Sequence, residues 1–134
     1  MGTWGIGIFD NDTAADWAYQ LEGCTDLSVI DTTLNNALHA DYLDADYACE
    51  ALAAIETITR LQRRGGEKYA YSEAVDQWVA ENPFEVPQTI IDKALKAIEL
   101  TLGANSELLE LWAETDEFDA WQNEIDELRN RLIG

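Results

Sequence analysis

Apolar residues recur at intervals of three and four along most of the chain, and this spacing is typical of amphipathic helices. The clearest seam lies near the C-terminal end and consists of Phe118, Trp121, Ile125, Leu128 and Leu132. A second seam, with intervals of four, three and four, consists of Ile91, Leu95, Ile98 and Leu102. Strand-like alternation is confined to residues 4–9. The pattern therefore predicts an all-α fold, a compact bundle of six to seven helices.

Polar residues, glycines and prolines between the seams set the expected helix boundaries. The predicted helices cover about residues 12–22, 27–38, 44–64, 72–82, 87–102, 106–114 and 118–132. The polar residues 10–13 compete to cap the first helix, and Thr13 with Asp16 resembles a capping box there. Asp26 is the expected cap of the second helix. The pair Gly65-Gly66 is expected to end the third helix.

The third predicted helix is our candidate for the centre of the bundle. Its apolar positions include Ala48, Ala51 and Leu52, and small alanine side chains let neighbouring helices approach closely. Its end charges also suit the helix dipole, with Asp44 at the start and Arg60 in the last turn. We therefore expect the other helices to pack around this one.

The N-terminal segment differs from the helical remainder. Gly2, Gly5 and Gly7 alternate with large apolar residues, and a polar turn follows. Because glycine lacks a Cβ atom, it permits close backbone contacts. We expect a short glycine-rich extended segment packed on the bundle. The residues given a structural role in this segment and in the core are Trp4, Gly5, Gly7, Phe9, Trp17, Trp112 and Trp121.

Length and composition indicate one domain. The chain has 134 residues, of which 47% are hydrophobic, and these are enough to form a hydrophobic core. No apolar run reaches the roughly 20 residues of a membrane span, and the N-terminus does not resemble a signal peptide. Cys24 and Cys49 lack the spacing of a zinc or redox site, so we expect two reduced thiols. These features predict a single helical domain over residues 1–134 and a cytoplasmic location.

Negative charge is the strongest compositional signal. Twenty-seven acids against eight bases give a formal net charge of −19, and residues 1–59 and 97–128 contain no base. Such a surface repels nucleic acid and anionic membranes, because binding to either depends on lysine and arginine. It attracts and steers a basic protein partner. The alternative explanation is a solvated surface that maintains solubility, or the acidic bias of a salt-adapted proteome.

Three segments carry a family resemblance. They are the start M-G-T-W-G-I-G-I-F-D-N-D-T-A-A-D-W, the segment 42–46 running into an alanine-rich helix, and the acidic, tryptophan-containing segment 107–121. Together they resemble the bacterial family catalogued as domain of unknown function 4259, over nearly the whole chain. The resemblance implies a small, mostly helical, single-domain bacterial protein and brings no established activity or catalytic residue. By analogy, small families of this kind often include immunity proteins of toxin systems.

Two groups of carboxylates are candidates for a metal site. Their members are Asp10, Asp12 and Asp16 near the first helix, and Asp44, Asp46 and Glu50 on the third, where Glu56 follows. Asp46 and Glu50 are four residues apart and share a helix face. If the first group packed beside them, the oxygen ligands would suit Mg²⁺, Mn²⁺ or Ca²⁺. Helix capping and surface charge explain the same residues without a metal, and no cofactor is predicted.

No local motif for catalysis is present in the sequence. His39 is the only histidine and has no nucleophile beside it, so we expect it at the C-terminal end of the second helix. Cys49 is expected to be a small buried hydrophobic residue, and Cys24 to be more exposed without a basic neighbour. The segment 4–7 matches no phosphate-binding motif. The sequence therefore favours a role without catalysis and assigns no catalytic or cofactor-binding residue.

We consider three functions. The favoured one is an acidic helical protein-binding module, of the immunity or inhibitor type, that docks on a basic protein such as a toxin. The residues assigned to that docking are Glu107, Glu110, Glu114, Asp116, Glu117 and Asp119. The second is a metal-dependent enzyme or metal-binding protein that uses the clustered carboxylates. The third is a helical subunit that assembles with itself or with another chain, since the sequence does not set the oligomeric state.

Overall fold

The computed structural model describes residues 5–134, and this part of the chain contains seven α-helices. They are α1 (Asp12–Tyr19), α2 (Ser28–Leu38), α3 (Ala45–Leu61), α4 (Glu73–Glu81, preceded by a 3₁₀ turn at Ala70–Ser72), α5 (Gln88–Thr101), α6 (Glu107–Ala113) and α7 (Phe118–Ile133). The described residues form no strand, and Leu43 and Ser106 make an isolated parallel bridge. Within the same residues, no helix has both the length and the apolar character that crossing a membrane requires. The predicted all-α bundle is confirmed.

Helix α3 is the centre of this bundle. It contacts all six other helices, and every residue from 51 to 60 is buried. A helix surrounded on all sides needs small residues where its neighbours approach, and Ala48, Ala51 and Ala54 have no exposed surface. All seven helices contribute to one hydrophobic cluster around it. The sequence-based prediction that this helix is central is correct.

Helix α3 ends three residues before the predicted boundary. Leu61 is its last residue, and Arg63 adopts the left-handed conformation with φ of 63°. The backbone N–H of Arg63 donates to the carbonyl of Arg60 (3.1 Å), and that of Arg64 donates to the carbonyl of Thr59 (2.8 Å). These two bonds form a Schellman motif, which closes the helix before the glycines are reached. An arginine here takes the position that glycine most often occupies.

The two glycines after α3 have a different role from the predicted helix stop. The backbone of Gly65 passes so close to Arg60 that a Cβ atom would clash with Cγ of the arginine. The next residue, Gly66, donates its N–H to Oε2 of Glu56 (3.1 Å). This loop therefore folds back over the last turns of α3, and the absence of a side chain at Gly65 makes that approach possible.

The cap of α1 is Asn11, one of the four polar residues predicted to compete for that position. Asn11 has extended backbone angles, and its side chain accepts a hydrogen bond from the N–H of Ala14 (2.8 Å). The predicted capping box of Thr13 and Asp16 is therefore wrong, because Thr13 already lies inside the helix and cannot adopt the extended conformation of a cap. The helix also ends at residue 19 instead of residue 22, and turns follow.

The ends of α2 match the prediction more closely. The side chain of Asp26 accepts a hydrogen bond from the N–H of Ser28 (3.0 Å), although the N-cap position itself belongs to Leu27. At the other end, His39 is the C-cap residue, as predicted. Differences of one residue at a helix end are within the usual spread of boundary definitions.

The buried seam of α5 is displaced by about one residue from the predicted seam. Its buried members are Ile90, Ala94, Ala97, Ile98 and Thr101. Three of the predicted residues, Ile91, Leu95 and Leu102, are only partly buried. The helix contacts α2, α3 and α7, and its small residues allow that close approach. The prediction chose large apolar residues, whereas small residues occupy much of the buried face, so the predicted seam lies beside that face.

The described part of the N-terminal segment consists of bends and a turn. The N–H of Asp10 donates to the carbonyl of Gly7 (3.0 Å), and the N–H of Gly7 donates to Oδ2 of Asp10 (3.0 Å). A Cβ atom on Gly7 would clash with the same carboxylate, so a larger residue here would displace the Asp10 side chain. Phe9 is buried below it, whereas Trp4 lies outside the described residues.

Substituting Ala51 by leucine tests the close packing of α3. We expect Ala51→Leu to lower the free energy of unfolding by about 1–3 kcal/mol, because the added methyl groups have no free space on a helix with neighbours on every side. Urea denaturation followed by circular dichroism measures the loss. The matched control is Ala120→Leu at an exposed position of α7, which should change stability by less than about 0.5 kcal/mol. Equal stabilities of the two variants would contradict this packing.

Candidate functional site

A buried ion-pair network lies in the C-terminal half of α3. The side chain of Glu56 is only 3% exposed. Its Oε2 atom lies 3.0 Å from Nε of Arg60, one turn later, and its Oε1 atom pairs with Nη2 of Arg131 on α7. Thr59 Oγ1 also donates to Oε2 (3.2 Å). A buried carboxylate is costly without such partners, so Arg60, Thr59 and Arg131 of α7 together stabilise Glu56 in this position.

Arg60 extends the network to α4 and to the N-terminal turn. Its Nη1 atom lies 2.5 Å from Oδ1 of Asp76 on α4, and Nη2 donates to the carbonyl of Glu67 (2.8 Å). Ser72 Oγ donates a hydrogen bond to Oδ2 of Asp76 (2.7 Å). The guanidinium carbon also lies 5.9 Å from the centre of the Phe9 ring, within the range of a cation–π contact. One buried arginine thus joins α3, α4 and the N-terminal turn.

An open cleft of about 630 Å³ lies over this network. The acids that line it are Asp10, Glu56, Glu67, Glu124 and Glu127, and the bases are Arg60 and Arg131. At one edge, the hydroxyl of Tyr69 donates to Oδ1 of Asp10 (3.1 Å). Acids outnumber bases in the lining, so the cleft favours a cationic ligand over an anionic one.

Two cleft residues have raised pKa values. Burial raises the pKa of the Glu124 carboxyl above the usual value for glutamate; the charge of Glu127 adds to the shift and that of Arg131 opposes it. Burial, followed by the charge of Asp10, raises the pKa of Tyr69. Tyr69 therefore remains a hydrogen-bond donor at neutral pH, and Glu124 takes up a proton more readily than an ordinary glutamate.

The acidic group predicted on α3 gathers at the start of that helix. Asp44 is its N-cap and accepts a hydrogen bond from the N–H of Tyr47 (2.8 Å). Asp46 accepts one from Oγ1 of Thr13 (3.1 Å), which ties α1 to α3. Burial raises the pKa of Glu50, and the charges of Asp46 and Asp44 raise it further. These carboxylates therefore repel one another, and two of them already serve as hydrogen-bond acceptors.

The N-terminal aspartates do not complete a metal site with that group. Asp10 lies in the cleft, bonded to the N-terminal turn and to Tyr69, while Asp12 and Asp16 are exposed on α1. Among residues 5–134, no three histidine, cysteine, aspartate or glutamate side chains are placed to hold a metal ion. The metal-binding function stays a prediction without a described site.

The remaining candidate groups have ordinary structural surroundings. Cys49 is buried, and burial together with the nearby carboxylates raises the pKa of its thiol to about 12. Cys24 is partly exposed, and its thiol donates to the carbonyl of Gln20 (3.3 Å). His39 is exposed at the end of α2. A buried thiol that keeps its proton at neutral pH is a poor nucleophile, because the reactive form is the thiolate.

The acidic residues assigned to docking divide into two sets. Glu107 and Glu110 have partners within the chain. Oε1 of Glu107 accepts from the N–H of Ala45 (2.7 Å), and Oε2 of Glu110 accepts from the hydroxyl of Tyr42 (2.8 Å), which raises the pKa of that tyrosine to about 12. The second set consists of Glu114, Asp116, Glu117 and Asp119, which we call the acidic ridge. All four are exposed, and none forms an ion pair within the described part of the chain.

The acidic ridge covers the connection between α6 and α7 and the first turn of α7, where Asp119 lies. The rings of Trp112 and Trp121 stack at 6.1 Å, and Phe118 stacks on Trp121 at 6.3 Å. Within the connection, Oγ1 of Thr115 donates to the carbonyl of Trp112 (2.7 Å) and accepts from the N–H of Glu117 (3.2 Å). These contacts stabilise the backbone that carries the four carboxylates.

The sequence pattern did not reveal a buried ion-pair network. Glu56 was grouped with the other acids of α3, and Arg60 was expected to offset the charge at the helix end or to pair with neighbouring acids. The second role of Arg60 is the one that its contacts with Glu56 and Asp76 confirm. A signal was present, because Glu56 and Arg60 are four residues apart in a segment that is otherwise apolar or small, and charged residues are rarely buried unless paired. The third member, Arg131, is 75 residues away from Glu56, and no local pattern connects them.

The model of the family described as domain of unknown function (DUF4259) matches residues 2–124 of the chain. Comparison with curated proteins and with solved structures found no match. The family description names no activity.

Removing the charge of Glu56 tests the network. We expect Glu56→Gln to lower the free energy of unfolding by about 3 kcal/mol, because Arg60 and Arg131 lose the carboxylate that compensates them in a buried position. Chemical denaturation measures the loss. Glu99→Gln is the matched control, since Glu99 forms an exposed pair with Lys96 (3.6 Å), and it should cost less than about 0.5 kcal/mol. A loss below about 1 kcal/mol for Glu56→Gln would contradict the buried pairing.

The raised pKa of Glu124 predicts a pH dependence. Because its pKa is higher in the folded chain than in the unfolded chain, ionising this carboxyl costs stability as pH rises through the folded pKa. Glu124→Gln should therefore be more stable than the wild type at neutral pH and lose this advantage below the ordinary pKa of glutamate. Denaturation across that pH range, with NMR titration of the Glu124 side-chain carbon, measures both effects.

The cause of the Glu124 shift can be separated by a second pair of variants. Glu127→Gln removes a neighbouring charge and should lower the Glu124 titration midpoint. Glu85→Gln removes an exposed charge that does not line the cleft and should leave the midpoint unchanged. A wild-type midpoint at or below the usual glutamate value would show that the prediction is wrong.

Proposed function

Because the chain belongs to the family of domain-of-unknown-function (DUF4259) proteins, for which no activity is named, we propose a function from its own charge: it is an acidic helical module that docks on a basic protein. An immunity or inhibitor protein that covers a basic toxin is one form of this function. The observation that supports it is how few of the surface acids are neutralised within the chain.

Ion pairs in the described residues use half of the bases but a small share of the acids. The paired bases are Arg60, Lys93, Lys96 and Arg131, four of the eight in the chain. The paired acids are Asp31, Glu56, Asp76 and Glu99, four of the 27. All charged residues lie within residues 5–134. Outside these pairs, 23 acids and four bases remain, so the unpaired charge of the chain is strongly negative.

A fifth base, Arg64, forms hydrogen bonds with backbone carbonyls and pairs with no acid in the described residues. The guanidinium of Arg64 donates to the carbonyls of Arg131 (2.7 Å) and Leu132 (3.1 Å) at the end of α7. These carbonyls carry the negative end of the helix dipole, so Arg64 is satisfied by backbone groups. Few cations are left to screen the acidic exterior from an approaching partner.

The acidic ridge is the part of this exterior best suited to meet a basic protein. Its four carboxylates are exposed and lack internal ion pairs, and the aromatic stack beneath them holds the connection in place. Preorganised charges lose little side-chain and loop entropy on binding. Charge complementarity of this kind raises the association rate and makes it depend on ionic strength.

The solubility explanation predicts the same net charge but no special role for the ridge. A comparison of two variants with equal net charge therefore distinguishes it from docking. The ridge variant carries Glu114→Gln, Asp116→Asn, Glu117→Gln and Asp119→Asn. The control variant carries Asp16→Asn, Asp41→Asn, Glu85→Gln and Asp92→Asn, all at exposed positions outside the ridge.

The tagged wild-type protein should retain a basic protein from its source cells at low ionic strength and release it at high ionic strength. Affinity for that protein, once purified, should fall by about tenfold or more in the ridge variant, mainly through slower association, and by less than about threefold in the control. Surface plasmon resonance at two salt concentrations measures both rates. Failure to retain any basic protein, or equal losses in the two variants, would contradict the proposal.

A further inference from the structure

A second surface feature lies away from the ridge, between the turn that follows α1 and helix α4. It is a groove of about 590 Å³. Alanines of both helices, among them Ala18 and Ala74, lie along it, and Trp78 contributes to its lining. A volume of this size holds a few side chains of a binding partner. We call this feature the α1–α4 groove.

The walls of the α1–α4 groove are tied together. The indole Nε1 of Trp78 on α4 donates to the carbonyl of Cys24 in the turn after α1 (3.0 Å). Phe84 packs against the Trp78 ring at 6.1 Å. The turn itself contains Gly23 in a left-handed conformation with φ of +78°, which glycine adopts without strain. The groove is therefore preformed, so a ligand does not have to order it.

Two aromatic side chains lie at the groove with much of their surface in solvent. Tyr19 is 62% exposed and Tyr71 is 50% exposed. The Tyr71 ring makes an edge-to-face contact with Tyr69 at 5.8 Å, which limits its movement. Tyrosine is enriched where proteins bind one another, because a rigid ring gives a large contact area and a hydroxyl at its tip.

The charged groups of the α1–α4 groove are all negative. Glu22, Glu73 and Glu81 line it and are exposed, and no lysine or arginine of the described chain lies among the lining residues. None of the three glutamates forms an ion pair within residues 5–134, although Glu81 accepts a hydrogen bond from Gln77 (3.2 Å). Aromatic surface beside unpaired carboxylates suits arginine or lysine, whose aliphatic stems pack on rings while their charged ends meet acids.

We propose that the α1–α4 groove binds a short basic segment of the protein partner, with an apolar side chain of that segment between the tyrosines and its arginine or lysine residues against Glu22, Glu73 and Glu81. This rests on the proposed function, because the partner is the same basic protein. It adds an anchoring site, which the ridge lacks, since exposed charges steer association more than they hold a complex together.

Two synthetic peptides with blocked ends test this proposal on the full chain. One is hexa-arginine, and the other has the same six arginines with two leucines inserted at its centre. Both carry equal charge, so the ridge attracts them equally. The groove should bind the leucine-containing peptide about tenfold more tightly, because it buries the added apolar surface. NMR titration should place the shifted amides in residues 18–25 and 70–82.

Groove variants connect that preference to named residues. The triple variant Glu22→Gln, Glu73→Gln and Glu81→Gln should lower the affinity for the leucine-containing peptide by about tenfold. Tyr19→Ala, at an exposed position, should remove most of the preference for leucine while hexa-arginine binds as before. The matched charge control, Asp41→Asn, Glu85→Gln and Asp92→Asn, should change both affinities by less than about threefold. Circular dichroism verifies that each variant is folded.

The outcomes separate this proposal from the proposed function. If both peptides bind equally and shift only ridge amides, the groove proposal is wrong while docking on basic proteins stands. If neither peptide binds at low ionic strength, both proposals are wrong. If light scattering shows a dimer that Tyr19→Ala disrupts, a second copy of this chain occupies the groove, and the basic segment is ruled out.

Discussion

The buried carboxylate of Glu56 is the constraint on which the rest of the arrangement depends. A charge with 3% of its side chain exposed is tolerated only where cations and donors surround it, so α3, α7 and the loop after α3 must meet at one point. Arg60 adds α4 through Asp76 and the N-terminal turn through Phe9. Elsewhere the helices meet mainly through apolar contacts, which are less directional, with single polar links such as the one between Thr13 and Asp46. The ion pairs therefore fix orientation where packing alone would leave alternatives.

Most of the acids stay outside this network. Arg60 and Arg131 pair within it, while the two lysines of α5 pair with acids of α2 and α5. Among the described residues, the network pairs only Glu56 and Asp76 with arginine. Outside all of these ion pairs, 23 acids and four bases remain, so the unpaired charge is strongly negative.

The spacing of apolar residues predicted the features that depend on burying one face of a helix. The seam of α7 and the central place of α3 followed from spacing and from small residues, because burial of one face dominates both. The α5 seam was misplaced because Ala94 and Ala97, not the larger residues, lie at the closest contact. The side chains of Glu56 and Arg131 form an ion pair although 75 residues separate them in the sequence, so local spacing could not predict this contact. Likewise, spacing did not reveal that Glu107 caps a distant helix, whereas the acidic ridge faces solvent.

In the function that we propose, the ridge and the α1–α4 groove would contribute to binding in different ways. Exposed carboxylates act at a distance and are screened by salt, so the ridge would set the rate at which a basic partner associates. Desolvated aromatic contacts act only at short range, so the groove would set the rate at which the partner dissociates. A purely electrostatic surface of this charge would bind basic proteins without discrimination. The preformed groove, with Tyr19 and Trp78 beside unpaired glutamates, would add the shape that restricts an acidic protein to one partner.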